Sequence, residues 1–560
     1  MSAVMKSSLS APVLTAAPLR ADEGTDALIS ASEAYPRLED AVLAAEREVL
    51  LGFRVLDPET RLRSATSSAR GLATWADLIA DAVARGLVVR ILLTDFEPVV
   101  ANDLHQKTWK SVQGFRARSP EASDGAGSLR LIAALHEGEF GPFARRLFWP
   151  LVRLQLRRLL RRAAKKGPDV ELVERSPGLR GLLHQRGDMV ERRTTSTLRL
   201  YPATYHQKLA VIDAKTLIIG GLDINERRYD DHAHQRPADQ TWHDVSLISA
   251  GAIASDARQH FVDCWNREVP RFNARLTTLG APRHDLPELV EAMADETADA
   301  QSDLDTAGTL QLVRTLSRRS PSFFAFGPRT IVKEIEQAHL AQIAQCQRLL
   351  YIETQFFRSS HLAEALAAAG RQKRDLRLIL VVPAAPEDVA FEGNGGIDAR
   401  HGEWLQVQAI DLVAEAFGDR FAAYSLVRDA SGEETGERNA VDGREIVYLH
   451  SKIAISDASS AIVSSANLNG RSLRWDTECG AVWTNPTAVE AFQARLWSAH
   501  LRDGFDGQAA PAGEAAFQMW KKAASEGPSP HTRQPLIAPY PLERARSFAK
   551  RVFFVPTNLL

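Results

Sequence analysis

His206-Gln-Lys208-Leu-Ala-Val-Ile-Asp213 and His450-Ser-Lys452-Ile-Ala-Ile-Ser-Asp457 are two copies of one pattern, H-x-K-x-x-x-x-D. Each opens an apolar, alternating run and ends where a turn is due. The context repeats as well: Asp223 stands 17 residues beyond His206 in GGLDIN, and Asn467 stands 17 beyond His450 in SSANLN. A motif that recurs with its surroundings marks a duplicated unit. Working outward, the first copy is preceded by a helical EDAVLAAERE, a strand-like VLLGFRV (49–55), a helical ATWADLIADAVARG and a second strand-like run, LVVRILLTDF (87–96). The second copy is preceded by IVKEIEQAHLAQIAQC, LLYIETQFF (349–357), HLAEALAAAG and LRLILVV (376–382), in the same order. Helices alternating with apolar, β-branched runs predict an α/β fold. The expectation is two pseudo-symmetric α/β/α halves, each with a mixed β-sheet flanked by helices, and an active site at their interface.

The boundaries read as a flexible leader over 1–28, a first half over 29–275, an acidic linker over 276–308, a second half over 309–510 and a tail over 511–560. From Val49 to His206 is 157 residues, and from Leu349 to His450 is 101, so the first half carries 56 more. The surplus is expected near 104–186, where the strand pattern lapses. Its most distinctive part, RRLFWPLVRLQLRRLLRRAAKK (145–166), has nine basic residues and no acidic one. Val152, Leu156, Leu159, Leu160 and Ala163 share one helical face, with Arg153, Arg157, Arg158, Arg161 and Arg162 mainly off it. Such a helix suits an anionic membrane surface, and it equally suits a surface position with the stripe turned to the core.

At 560 residues, 45% hydrophobic and 25% charged, the chain has the composition of a soluble globular protein of about two domains. A net charge of −2 and 7% aromatics do not describe a general nucleic-acid binder, so affinity for an anion must be local. Cys264, Cys346 and Cys479 show neither disulfide nor metal-ligand spacing. No apolar run approaches the roughly 18 residues of a membrane span.

The motif residues suit phosphodiester chemistry. Residues i and i+2 of a strand share a face, so His206 meets Lys208 and His450 meets Lys452. Docking the halves about a pseudo-twofold brings both pairs to one cleft. The lysines supply positive charge for phosphate oxygens, one imidazole can attack phosphorus, and the other can protonate the departing oxygen. The resulting covalent intermediate is resolved by water or an alcohol. Asp213 and Asp457 complete the catalytic motifs, and their place at turns assigns them to support of the motif. No metal or other cofactor is expected.

These residues resemble the duplicated HKD motifs of the phospholipase D superfamily, with further matches in TWHDV (241–245), YIETQFF (351–357) and WDTECG (475–480). The GG-x-D form and the YIE-x-Q-F-F block are most similar to the eukaryotic-type enzymes, and the resemblance runs over roughly 30–500. It implies that His206 is the nucleophile and His450 the general acid, then base. It also implies that Lys208 and Lys452 bind phosphate with Asn467, and that a downstream acid, Asp244 or Glu478, bonds the second nitrogen of each histidine. Asp223 stands where many relatives carry Asn and is grouped with Glu353 and Gln355 on the substrate side. Glu353 and Gln355 could instead tie down a loop, and Trp242 and His243 could be packing. The implied function is cleavage or transphosphatidylation of glycerophospholipids by a peripherally membrane-associated, cytoplasmic or exported enzyme for which a monomer suffices. The alternatives are a nuclease-type phosphodiesterase and a non-catalytic lipid-binding module.

Overall fold

A computed structural model describes residues 18–22, 24–119, 127–164, 169–186, 189–192, 199–279, 286–291, 308–431, 438–505, 511–525 and 533–552. Two mixed sheets carry the two motifs. The first runs, in spatial order, Asp26–Ile29, Val245–Ala250, Thr216–Gly220, Leu209–Ile212, Glu48–Phe53, Val88–Thr94, Ser128–Ala134. In the second, Thr309–Arg318, Glu478–Thr484, Ser460–Ser464, Lys452–Ser456, Leu349–Thr354, Arg377–Val381 and Phe421–Ser431 repeat that order strand for strand. In each sheet the last three strands are parallel and the motif strand is antiparallel to its neighbours.

Parallel neighbours require crossover segments, and the helices supply them. Thr74 caps Trp75–Ala84 in a capping box with Asp77, and Ser359 caps Ser360–Gln372. Strands such as Glu48–Phe53 and Leu349–Thr354 are almost wholly buried, which is why they read as continuous apolar runs rather than alternating ones.

Each motif strand turns at its aspartate. Asp213 and Ala214 have φ of 53° and 56°, and Asp457 and Ala458 have 49° and 53°. The Asp213 carboxylate accepts from the backbone N–H groups of Glu46, Arg47 and Glu48 at 2.8–2.9 Å. Asp457 does the same for Gln347, Arg348 and Leu349 at 2.8–2.9 Å. Three bonds to the entry of the adjacent strand set that strand's register. Both aspartates lie at the end of the motif strand remote from its histidine, so their place is structural and outside the catalytic set.

The halves are clasped across their interface by a reciprocal exchange. Thr477 O accepts from His206 N and Gln207 N, both at 2.9 Å, and Thr477 N donates to Thr204 O at 2.9 Å. In mirror fashion, His243 O accepts from His450 N at 2.8 Å and Ser451 N at 3.2 Å, while His243 N donates to Tyr448 O at 2.9 Å. The residue that precedes each acid, Asp244 or Glu478, thus holds the motif of the other half. One apolar core, with Phe261 and Trp265 from the first half and Trp483 and Trp497 from the second, runs through the interface.

Several boundaries differ from those read in the sequence. Arg20–Ala21 pairs with Thr309–Arg318, and Asp26–Ile29 is a sheet strand, so residues 20–22 and 24–28 are not a free leader. Ser128–Ala134 is a regular sheet strand and belongs to the repeat, so the extra residues of the first half enter only after Ala134. They form Pro142–Ala164, Asp169–Arg175 and the small hairpin Leu183–Arg186 with Met189–Arg192. The linker begins docked: Trp265 Nε1 donates to Glu288 O at 2.9 Å, and Asn266 bonds both backbone groups of Val290. Most of the remaining linker lies outside the described residues, as does the leader up to residue 17. The tail packs: Ile537–Pro539 joins the second sheet beside Phe421–Ser431, and Trp520 is buried against Tyr351 and Trp497.

Candidate active site

Both motif histidines line one cleft of about 450 Å³. His206 Nδ1 bonds Glu478 Oε1 at 2.9 Å, and His450 Nδ1 bonds Asp244 Oδ2 at 2.6 Å. Both carboxylates therefore come from the opposite half. The downstream acid of the same half, on which the sequence reading rested, is exchanged because the clasp carries each acid past its own histidine. Occupation of Nδ1 leaves Nε2 of each ring for the reacting phosphate.

The lysines sit beside the rings. Lys208 Nζ lies 3.2 Å from His206 Nε2 and donates to His206 O at 2.7 Å, and Lys452 Nζ donates to His450 O. Asp223 is fully buried and pairs with Lys208 at 3.9 Å and with Arg228, and it accepts from Val55 N at 2.8 Å. Burial alone would raise its pKa, but the charges of Lys208, Arg228 and Arg54 hold it below the usual carboxylate value. It orients cations from beneath and is displaced from the substrate side to which the sequence assigned it.

Glu353 is likewise no cleft residue. It accepts from Tyr351 Oη at 2.6 Å and bonds His500 Nε2 at 2.8 Å and His243 Nε2 at 3.2 Å, with Ser451 Oγ on the same carboxylate. Among the described residues His243, Glu353 and His500 form the one cluster with metal-ligand spacing, and their polar atoms already satisfy one another. Through His243 and Ser451 this network braces the clasp under His450. Gln355 does reach the cleft, donating to Tyr448 Oη at 2.9 Å and accepting from Asn467 Nδ2 at 3.2 Å.

Sequence reasoning missed the guanidinium groups. Arg54, Arg227, Arg228 and Arg471 line the cleft. Arg227 pairs with Glu387 at 2.6 Å and Arg471 with Asp476 at 3.0 Å, whereas Arg54 has no carboxylate partner among the described residues. A signal existed: Arg227 follows Asp223 by four residues, as Arg471 follows Asn467. Trp242 was also underrated. Its ring lies 4.7 Å from that of His450, and the Arg228 guanidinium stands over the Trp242 ring at 5.2 Å.

Burial works against charge throughout. It holds both histidines well below the ordinary imidazole value, and the nearby lysines and arginines add to that. It also pushes Glu478 up to about 8. Neutral imidazole is the nucleophilic form, and burial favours it at both rings in an empty cleft. Lys452 is pushed down to about 7, chiefly by burial. Its ammonium therefore loses its proton as pH rises through that value, and with it the attraction for an anion. The KM for a phosphodiester is expected to rise above about pH 7, and Lys452→Gln should show a high KM without that rise. A wild-type KM that stays flat through this range would refute the role given to Lys452.

Residues 339–499 match the family model for the cardiolipin synthase, PLD-like domain, and residues 230–373 match the model for phospholipase D. Phospholipase D1 of Schizosaccharomyces pombe is 26% identical over 374 residues, which is 51% of this chain and 25% of that protein. Phospholipase D2 of Bos taurus is 26% identical over 351 residues, covering 53% of this chain and 35% of that protein. The chain belongs to the phospholipase D superfamily. Among solved structures of the superfamily fold, phosphatidylserine synthase of Haemophilus influenzae aligns over 91% of this chain and 95% of its own, with a TM-score of 0.50 and 14% identity. These curated phospholipases D extend far beyond the region shared with this superfamily member. His206 precedes both matched family regions, and the strand-for-strand repeat is what identifies it as the partner of His450.

Proposed function

We propose that this chain is a phospholipase D-type phosphodiesterase or phosphatidyltransferase acting on glycerophospholipids through a phosphohistidine. The observation that carries the reading is the pair of histidines in one arginine-lined cleft, each bound through Nδ1 to a carboxylate of the other half. His206 Nε2 attacks phosphorus and the bond from phosphorus to the head-group oxygen breaks. That oxygen takes its electron pair and a proton from His450, whose ring takes up that proton when the anionic diester enters the cleft and offsets the neighbouring cations. Water or an alcohol then gives a proton to His450 as its oxygen attacks phosphorus, and the P–N bond breaks to restore His206. Arg54, Arg228 and Arg471 neutralise charge on the non-bridging oxygens, and Lys208 and Lys452 do so from beside the rings. The names of the matched relatives support a lipid diester as substrate.

The test is incubation with mixed phosphatidylcholine and phosphatidylethanolamine vesicles containing ethanol. Release of the head group with formation of phosphatidylethanol supports the reading. Cleavage of single-stranded DNA or RNA with no lipid turnover would make the protein a nuclease of the same superfamily, and no turnover of either would leave a lipid-binding module.

A further inference from the structure

The helix Pro142–Ala164 has two apolar faces. The face read from the sequence, with Val152 and Leu156, is buried against Leu172, Val173 and Leu179 and so faces the protein. Ala163 is outside the residues whose burial is described. The opposite face carries a second apolar row, Phe143, Leu147, Leu151 and Leu154, spaced to share one side and turned to solvent. Leu147 and Leu151 are 56% and 64% exposed.

A distant segment extends that row. In the loop before Arg329–Lys333, Phe323, Phe324 and Phe326 are all exposed, Phe324 at 65%. The rings of Phe324 and Phe326 lie 5.5 and 6.0 Å from that of Phe143. The loop is bonded to the start of the helix, Gly141 N to Ala325 O at 2.8 Å and Phe143 N to Phe323 O at 3.1 Å. A Cβ on Gly141 would come within 2.8 Å of two loop carbonyl oxygens, so glycine is required for this approach. Seven large apolar side chains held out in one patch cost solvation that a monomer's surface normally avoids.

The charge around the patch is of one sign. The helix Pro142–Ala164 contains seven arginines and no acid, and the stretch 318–329 contains three arginines and no acid. Arg145, Arg318 and Arg319 are tethered to Glu137 or Glu139. Arg157, Arg158, Arg161 and Arg162 are exposed and have no carboxylate partner among the described residues. An apolar ridge beside unpaired arginines matches the acyl boundary and phosphates of an anionic bilayer. A second copy meeting the same patch would oppose arginine to arginine without a compensating acid.

We infer that the ridge formed by Phe143, Leu147, Leu151, Leu154 and the Phe323–Phe326 loop inserts into the surface of an anionic phospholipid bilayer. The loop continues to Gly327, which packs so closely on the Trp475 ring that an added Cβ would lie 2.3 Å from it. Trp475 is followed by Asp476 in the cleft wall, so the ridge loop is joined to the cleft through Trp475. Docking requires no turnover and is therefore tested apart from the chemistry proposed above.

The experiment is sedimentation with vesicles of phosphatidylcholine alone and of equal phosphatidylcholine and phosphatidylglycerol. It compares the wild type, the triple variant Leu147→Ser/Leu151→Ser/Phe324→Ser, and a variant with Arg157, Arg158, Arg161 and Arg162 each changed to Gln. The wild type is expected to bind the anionic vesicles in a salt-sensitive way. The triple variant should bind about tenfold or more weakly at an unchanged melting temperature, and the glutamine variant should lose the preference for phosphatidylglycerol. Should the triple variant fail to fold, Leu151→Trp gives a second reading: its fluorescence must shift to the blue and be quenched by brominated acyl chains. Wild-type protein that binds neither vesicle, or ridge variants that bind as the wild type does, would overturn the inference. So would a wild-type dimer in sedimentation velocity that the triple variant dissolves, since the ridge would then be an interface between copies.

Discussion

His206→Ala is expected to lower lipid turnover by about four orders of magnitude or more, with no phosphoenzyme detectable after a quench in alkaline denaturant, in which a phosphohistidine survives. In the proposed mechanism its ring supplies the attacking lone pair, and among the described residues the one other imidazole lining the cleft is that of His450. Water attacking directly would lack both the covalent intermediate and the orientation that Glu478 gives to His206. His450→Ala should be as severe with a choline or ethanolamine leaving group, whose oxygen needs a proton. With a p-nitrophenyl diester, whose leaving group departs as an anion, His450→Ala should still form the phosphoenzyme and accumulate it, because the water that resolves it has lost its base. Mass spectrometry of the quenched enzyme distinguishes the two. Phosphate found on the His206→Ala protein, or accumulation in neither variant, would reverse or remove the assigned roles.

Gly221→Ala is expected to cost about a hundredfold in kcat, the scale of a misplacement of about an ångström at a catalytic group. An added Cβ there would stand 2.2 Å from Asp244 Oδ1, and only 3.1 Å from Oδ2, the oxygen that bonds His450. Asp244 is short, so its carboxylate lies close over the backbone of the neighbouring strand, and glycine is the residue that leaves room. In the second half the longer Glu478 clears the same place, and Ser465 stands there and donates to Glu478 at 2.5 Å. Asp and Gly are thus a matched pair, as are Glu and Ser. The glycine variant should resemble Asp244→Asn in its kinetics, with the defect in kcat and in the leaving-group dependence. A Gly221→Ala enzyme at wild-type rate, or one whose only change is a lowered melting temperature, would show that Asp244 does not hold His450 for catalysis.

The repeat, the α/β class and the identity of both histidines were legible because they depend on residue type and local period. His206, Lys208 and their counterparts announce themselves by spacing, and buried strands such as Leu349–Thr354 by continuous apolarity. What was lost depends on topology. No local signal says that Thr477 bonds His206 or that His243 bonds His450, so the acids were given to the wrong partners. Glu353 and Asp223 are carboxylates near a phosphate site by sequence, yet each is consumed by buried cations or histidines that only the fold brings to it. Ser128–Ala134 was overlooked because its apolar run, Leu131–Leu135, is short although Gly125 and Gly127 punctuate its start, and it is recognised by pairing with Val88–Thr94. The outward row on Pro142–Ala164 was hidden because a helix apolar on two faces has no single stripe to read.

The crossed clasp has a bearing on how such a molecule can change. A solitary half holds one histidine and one carboxylate that cannot meet each other, though each is suited to a neighbour's counterpart. An ancestral half could thus work only in twos, and every substitution would fall on both sides of the axis together. Joining two copies in one chain removes that constraint, since assembly no longer depends on concentration and each side can drift alone. The unequal acids, the glycine set against a serine and the Asp set against an Asn are the record of that freedom. Under the proposed mechanism they let each ring be tuned separately for attack or for carrying a proton, where a symmetric pair must serve both roles with identical residues.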